Sequence, residues 1–201
     1  MSRYTGPKRR LSRREGIALT TKDAKFIERK GAVPPGQRGT RTRIKRLSEF
    51  GLQLREKQKA KRIYGLTEKQ FRNTFTEAAK SKGATGQKLL ELLETRLDNL
   101  VYKLGFALSR AGARQTVSHG HIRVDNKKVT IPSFKVKVNS VVAISPKFVD
   151  NIQVKKSLEA NPTLPDWLER KATVGKVLRA PNREEMEQSV SEQLIVEYYS
   201  R

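Results

Sequence analysis

The spacing of apolar positions changes character several times along these 201 residues. Over residues 1–46 hydrophobic side chains are sparse and unpatterned. Gly6-Pro7, Gly31 and Val33-Pro34-Pro35-Gly36 interrupt any regular element there. Ser48 is a good N-cap for a helix over about 49–64, with Leu52, Leu54, Ala60 and Ile63 as its apolar members. Thr67-Glu68-Lys69-Gln70 reads as a capping box. The helix behind it sets Phe71, Phe75, Ala78 and Ala79 on one stripe and stops at Gly83. Spaced i, i+4, the two phenylalanines read as core before they read as base-stacking groups. Gly83-Ala84-Thr85-Gly86 reads as a hinge between domains.

Residues 88–104 carry the strongest amphipathic pattern in the chain. Leu89, Leu93, Leu97, Leu100 and Leu104 recur at helical spacing, with Leu90 and Val101 beside them, and Gly105 follows. Ser109 caps a second helix over 110–118, whose Ala113 and Val117 share a face, and Gly120 ends it. The period then drops to two. Ile122 and Val124 flank Arg123, a turn at Asp125-Asn126 leads to Val129 and Ile131, and Phe134, Val136 and Val138 alternate with lysines. Asn139-Ser140 turns into an apolar run, 141–144. Beyond it lie a helix candidate at 152–158, a strand candidate at 176–178 and a closing helix with Val190, Leu194 and Tyr198 at i+4 spacing. The fold class expected is α+β: a helical first domain, then a helix–turn–helix followed by a small antiparallel sheet.

Charge sharpens this picture. The chain has 43 Lys+Arg against 20 Asp+Glu, a net of +23. Residues 1–88 hold 25 against 7 and residues 151–201 hold 8 against 8, so the excess lies in the first half. Such asymmetry points to a face or arm that meets phosphate. A lipid surface would call for a basic amphipathic helix with a large apolar face, which the first half lacks. Clusters at Lys8-Arg9-Arg10, Arg13-Arg14, Arg38, Arg41, Arg43 and Lys45-Arg46 suggest an arm, residues 1–46, that orders against RNA. Arg55, Lys59 and Arg62 fall on one face of the 49–64 helix and continue it. In the second helix of the helix–turn–helix, Arg110, Arg114, Gln115, Ser118 and His119 are the polar candidates, followed by Lys127 and Lys128 in the hairpin. RNA's major groove is too deep and narrow to admit a helix, so such a unit would meet RNA through phosphates and shape. The pattern by itself does not separate RNA from DNA.

Catalytic chemistry finds little support. There is no Cys, which excludes disulfides, thiol catalysis and thiolate zinc sites. No phosphate-loop, dinucleotide or nucleophile-elbow motif occurs. His119 and His121 are the only histidines. They could supply two metal ligands, contact phosphate or a 2′-hydroxyl, or shape the turn. A metal site needs a third and fourth ligand, and no carboxylate pair sits nearby in sequence, so no metal or other cofactor is expected. Asp98 is the one acid candidate, but it sits beside Arg96 and reads as a local ion-pair or capping partner. No membrane partner is expected, because no apolar run approaches the ~20 residues of a membrane span.

Several long segments resemble one family, in order and nearly end to end: ribosomal protein uS4. They are SRYTGPKRRLSRREG at the start, PPGQRG at 34–39, LREKQKAKRIYGLTEKQFR at 54–72, GATGQ at 83–87, 89–124 with its LSRAGARQTVSHGHIRV ending, WLE at 167–169, GKVLRAPNRE at 175–184 and LIVEYYS at the end. The 89–124 module alone also resembles pseudouridine synthases and one class of tRNA synthetase, but no stretch outside 89–155 could hold their catalytic domains. The resemblance implies a non-enzymatic primary binder of 16S-type rRNA in its 5′ domain. It would nucleate assembly of the small-subunit body and, with uS5, influence translational accuracy. It implies a basic extended arm at 1–46, a helical rRNA-binding domain at 47–86 completed by 185–201, and an RNA-binding domain at 87–184 with an S4-type module at about 89–155. Leu194, Ile195 and Tyr198 would then pack around Phe71 and Phe75. The expected RNA-contacting set is Arg3, Lys8, Arg9, Arg10, Arg13, Arg14, Arg55, Lys59, Arg62, Arg72, Arg96, Arg110, Arg114, Gln115, Ser118, His119, Lys127 and Lys128. Arg43, Lys45 and Arg46 would lie near the path by which mRNA enters. Many bacterial members hold a cysteine zinc site in the arm, which this chain cannot form. Where the family's hairpin usually has Asn-Gly, this chain has Asp125-Asn126, a turn that should survive with some strain. The expected location is the cytoplasmic ribosome, or an organellar one. A general nucleic-acid compactor and a small RNA-modifying enzyme are the competing readings.

Overall fold

The computed structural model describes residues 4–30, 33–36, 47–160 and 163–201. Arg3, Arg38, Arg41, Arg43, Lys45 and Arg46 lie outside them. Contacts divide the chain into two compact units, residues 1–76 with 189–201, and residues 77–188.

The first unit is helical: α1 (Lys8–Glu15), α2 (Thr21–Lys30), α3 (Glu49–Ile63), the start of α4 (Glu68–Lys80) and α9 (Glu192–Tyr199). An extended arm was expected over 1–46, yet 8–15 and 21–30 are helical. Pro7, in the extended region, starts α1. Its Ser12 hydroxyl is buried and donates to Asp23 Oδ2 at 2.7 Å, and the Thr20 hydroxyl donates to the same oxygen at 2.8 Å. Arg13 donates to the carbonyls of Val33 and Pro34, both at 2.9 Å. These polar ties order a segment that has little apolar surface to bury.

Ser48 caps α3 by accepting from Gly51 N at 3.2 Å. Thr67 and Gln70 form the reciprocal box that opens α4, at 3.3 and 3.5 Å. The face α3 buries shares only Ala60 with the apolar one expected. Gln53, Lys57 and Ala60 are its buried members, spaced i, i+4, i+7, while Leu52 is about half exposed. The partner is α9, and the contact is largely polar: Gln53 donates to Glu197 at 3.0 Å, and Ser191 N donates to Glu56 at 2.7 Å. The closing helix does reach Phe71 and Phe75, but through Tyr199, whose ring stacks 4.3 Å from Phe75. Tyr198 turns instead to Phe50, at 5.7 Å. Ile195 and Val190 are fully buried, and Leu194 is half-buried. Ala79, expected on the apolar stripe of α4, is exposed.

In the second unit the Leu-rich stretch is two helices, α5 (Thr85–Glu94) and α6 (Leu97–Lys103), rather than one over 88–104. The break sits at Thr95 and Arg96, where Arg96 takes an extended conformation (ψ 139°). The first N–H groups of α6 are satisfied from outside: Leu97 N donates to the Phe134 carbonyl at 2.8 Å and Asp98 N to that of Pro132 at 3.1 Å. Val136 N donates back to Thr95 O at 3.1 Å. Residues 134–138 therefore dock on a helix break, and the strand expected there is reduced to one bridge, Arg96 with Lys135. Val136 is buried, while Phe134 and Val138 are exposed.

Ser109 caps α7 (Arg110–Ser118), accepting from Gly112 N at 3.1 Å. A five-stranded antiparallel sheet follows, in the order β2-β1-β3-β5-β4. Its strands are β1 (Ile122–Val124), β2 (Lys127–Lys128), β3 (Val141–Ile144), β4 (Leu168–Lys171) and β5 (Val174–Val177). β1 and β3 pair Ile122 with Ile144 and Val124 with Val142, which puts all four on the core side. Helix α8 (Ile152–Glu159) precedes β4, a strand without a clear period-two signal. The core joins Leu97, Leu100, Val101 and Leu104 of α6 to Ala113 and Val117 of α7, to the inner sheet residues and to Trp167. Each fully buried Leu is worth roughly 1.5–3 kcal/mol. The packing is close enough at β5 that a methyl group on Gly175 would come within 2.6 Å of the Leu104 side chain.

Candidate nucleic-acid interface

The module presents α7 by burying one face and leaving the other to solvent. Ala113, Arg114 and Val117 are buried, whereas Ala111, Gln115, Ser118 and His119, at i, i+4, i+7 and i+8, are exposed. The hairpin carrying Lys127 and Lys128 follows, with both lysines exposed. Its two-residue turn has Asp125 at φ 48° and Asn126 at φ 66°, the doubly left-handed form that suits the twist of the strands.

Under this surface lies a buried polar network that the amphipathic pattern does not reveal. Asp98 receives Arg96 Nε and Nη2 at 3.1 and 3.0 Å, and Arg114 Nε and Nη2 at 3.1 and 2.8 Å. Asp98 also accepts from Asn99 N at 3.0 Å. Asn99 in turn donates to the Glu94 carbonyl at 3.1 Å and accepts from Arg110 Nε at 2.9 Å. Arg110 lies 4.8 Å from the Tyr102 ring and 3.4 Å from Glu187. The residues expected to touch RNA thus divide. Arg96 and Arg114 are interior, 5% and 9% exposed, and fix α6 against α7. Arg110 is half-buried and tied to Asn99. Gln115, Ser118, His119, Lys127 and Lys128 face solvent. The pairing of Asp98 with Arg96 was legible in sequence; its second arginine, sixteen residues away, was not.

At the end of α7 the two histidines meet. His121 stacks flat on Phe148, with centroids 3.8 Å apart and planes 4° apart, and the His119 ring stands edge-on at 6.1 Å. Burial, then the nearby His119 and Lys128, hold the His121 imidazole below its ordinary pKa.

In the helical unit the cations also sort into two groups. The Glu15 carboxylate, almost wholly buried, takes Arg55 at 3.2 Å and also Arg62. Burial lowers the Arg62 pKa, and Glu15 works against that shift. Lys59 pairs with Glu56 at 2.8 Å, and Lys57 and Lys61 reach Glu68 at 2.7 and 2.9 Å. The Arg55, Lys59, Arg62 face is therefore matched to carboxylates of this chain. Lys8, Arg9, Arg10 and Arg14 on α1, and Arg72 on α4, are exposed, although Arg9 approaches Asp23 at 3.6 Å and lies 4.9 Å from the Phe26 ring. Arg13 is half-buried on its two carbonyls.

A capped helix pair bearing an exposed polar face and a basic hairpin, joined to a separate helical unit, defines an RNA-binding protein of the S4-domain class. Residues 95–142 match the S4 domain, and residues 3–94 match the ribosomal protein S4/S9 N-terminal domain. The boundary between these matches coincides with the break between α5 and α6, well past the Gly83–Gly86 hinge expected from sequence. The small ribosomal subunit protein uS4 of Dictyoglomus turgidum is 53% identical, that of Natranaerobius thermophilus 50% and that of Chloroflexus aurantiacus 47%, each over the whole of both chains. The chain belongs to the uS4 family of small-subunit ribosomal proteins, whose members are structural and not enzymes.

Proposed function

We propose that this protein is a structural constituent of the small ribosomal subunit. It binds the 5′ domain of 16S-type rRNA, nucleates assembly of the subunit body and, beside uS5, contributes to translational accuracy. Arg43, Lys45 and Arg46 contribute on the side where mRNA enters. The observation that carries the reading is the rigidly braced α7 face, with Gln115, Ser118 and His119 exposed next to Lys127 and Lys128. Family membership over the full chain and the concentration of positive charge in the first half support it. The mechanism is electrostatic and geometric. Cations on α1 and on the hairpin neutralise phosphates, and two separate folded units grip one folded junction, since shape is what helical RNA offers to be read.

The test is a competition at physiological salt between a 5′-domain rRNA transcript and random duplex DNA. A specific scaffold prefers the transcript by at least about a thousandfold, on the scale by which site-specific nucleic-acid binders exceed their own background. Equal affinity for both would establish the compactor reading instead. Replacing Lys127 and Lys128 together with glutamine should weaken transcript binding and flatten its salt dependence.

A further inference from the structure

The end of α7 holds a group of side chains that generic RNA binding does not require. His119, Gly120 and His121 turn the chain from helix to strand. Three carbonyls of the last turn of α7 are already taken up there: His119 N donates to Gln115 O, Gly120 N to Val117 O and His121 N to Thr116 O, at 2.8–3.1 Å. These bonds leave the three carbonyls they use turned back into the helix. Lys128 of β2 lies across Gly120. A methyl group there would fall 2.1 Å from Lys128 Cε and 2.8 Å from Nζ, and Gly120 also has φ 74°. Glycine is thus the residue that lets the lysine rest on the main chain between the two histidines. Behind His121, Phe148 covers one ring face, and the main chain is pinned by Ser145 N donating to His121 O at 2.8 Å.

The titratable groups that act on His121 are His119 and Lys128. His119 comes from the end of α7 and Lys128 from β2. The 3₁₀ turn at Pro146–Phe148 offers the Phe148 ring, with Lys147 beside it exposed. No carboxylate is among the groups that act on the imidazole. Such a cluster lacks one thing, a negative charge at its centre. We propose that His119, His121 and Lys128 form a phosphate subsite in which an RNA phosphodiester binds together with a proton taken from water by the His121 ring. The inference rests on the RNA-binding reading above and deepens it: one contact of the complex is proton-linked, whereas those made by lysine and arginine are not. With the site empty, burial first, and then His119 and Lys128, hold the His121 pKa down while the ring lies stacked on Phe148. A phosphate between His119 and Lys128 reverses that field and favours the imidazolium.

Two measurements test this on the full chain. In the first, histidine NMR titrations compare inorganic phosphate with chloride at equal ionic strength. Phosphate should move the His121 midpoint upward in the native protein and not in Lys128→Gln. In the second, affinity for a 5′-domain rRNA transcript is measured at pH 7.5 and 6.0 at fixed salt. One proton taken up per complex gives at most about tenfold per pH unit, and we expect binding three- to tenfold tighter at pH 6.0. His121→Phe, which keeps a flat ring against Phe148, should lose that dependence; if it does not fold, His121→Gln serves the same purpose. A variant that binds RNA with the native pH profile, or a His121 midpoint indifferent to phosphate, overturns the subsite. Equal affinity for the transcript and for unrelated duplex overturns the function proposed above, while the phosphate titration still reads the subsite alone.

Discussion

Asp98 holds two guanidinium groups out of water, and its own carboxylate is about as buried as they are. Removing one partner of such a buried group leaves the others uncompensated, which typically costs about 3–5 kcal/mol. Asp98→Ala should therefore lower stability by that order in urea unfolding. Arg114→Ala should show a similar loss, because Arg114 braces α7 from within; the expectation that it contacts RNA directly sits poorly with its burial. At His121 the sign runs the other way from an ion pair. Its pKa in the folded protein lies below the ordinary 6.5, so the unfolded chain binds more protons between those two values. Stability in phosphate-free buffer should fall as pH drops through about 6.5, and His121→Phe should flatten that slope in thermal melts. Glu68 shows the carboxylate case. Partial burial raises its pKa, but hydrogen bonds from Lys57 and Lys61 outweigh that and hold it below the usual range. Its contribution is present above about pH 4.5 and is lost as pH falls through the lowered value.

Helix starts are the elements most plainly written in this chain. Ser48 and Ser109 are side-chain caps, and Thr67 with Gln70 closes a reciprocal box. Ser109→Ala should cost about 1 kcal/mol and fray the first turn of the surface that bears the exposed polar residues, measurable by amide exchange at Ala111–Ala113. The hairpin turn was legible for the same local reason, since Asp125 and Asn126 both tolerate a left-handed backbone. Asn126→Gly should raise the melting temperature slightly, because glycine occupies that region without a side-chain penalty. What local pattern did not reveal depends on distant partners. The break at Thr95 and Arg96 exists because the carbonyls of Pro132 and Phe134 cap α6 from outside. Helices α1 and α2 exist because Ser12, Thr20 and Asp23 close a polar knot that no count of apolar residues detects. Strand β4 is specified by its pairing with β5 more than by its own Leu-Glu-Arg-Lys sequence.

At the scale of the whole molecule, net charge overstates the number of cations ready for a polyanion. Of +23, much sits in residues 1–88, but the α3 cations Arg55, Lys57, Lys59, Lys61 and Arg62 all have carboxylate partners within the protein. Each phosphate neutralised contributes about −0.7 to −0.9 to the logarithmic salt slope. Replacing Lys8, Arg10 and Arg14 with glutamine should flatten the slope by about 2 to 3. Arg55→Gln with Arg62→Gln should flatten it by less and destabilise the helical unit, by leaving Glu15 buried without a partner. Filter binding across a salt series, alongside urea unfolding, separates the two outcomes.

The docking of α9 on α3 also sets a schedule for synthesis. The partner that covers Gln53, Lys57 and Ala60 is made more than a hundred codons after them. At ordinary elongation rates that delay is on the order of ten seconds. During it residues 77–188 can already close as a unit of their own, while the cationic segment ahead of them waits unfinished. A nascent chain in that condition presents loose positive charge in a compartment crowded with transcripts, so a holding chaperone, or early capture by RNA, is the natural guard over that interval.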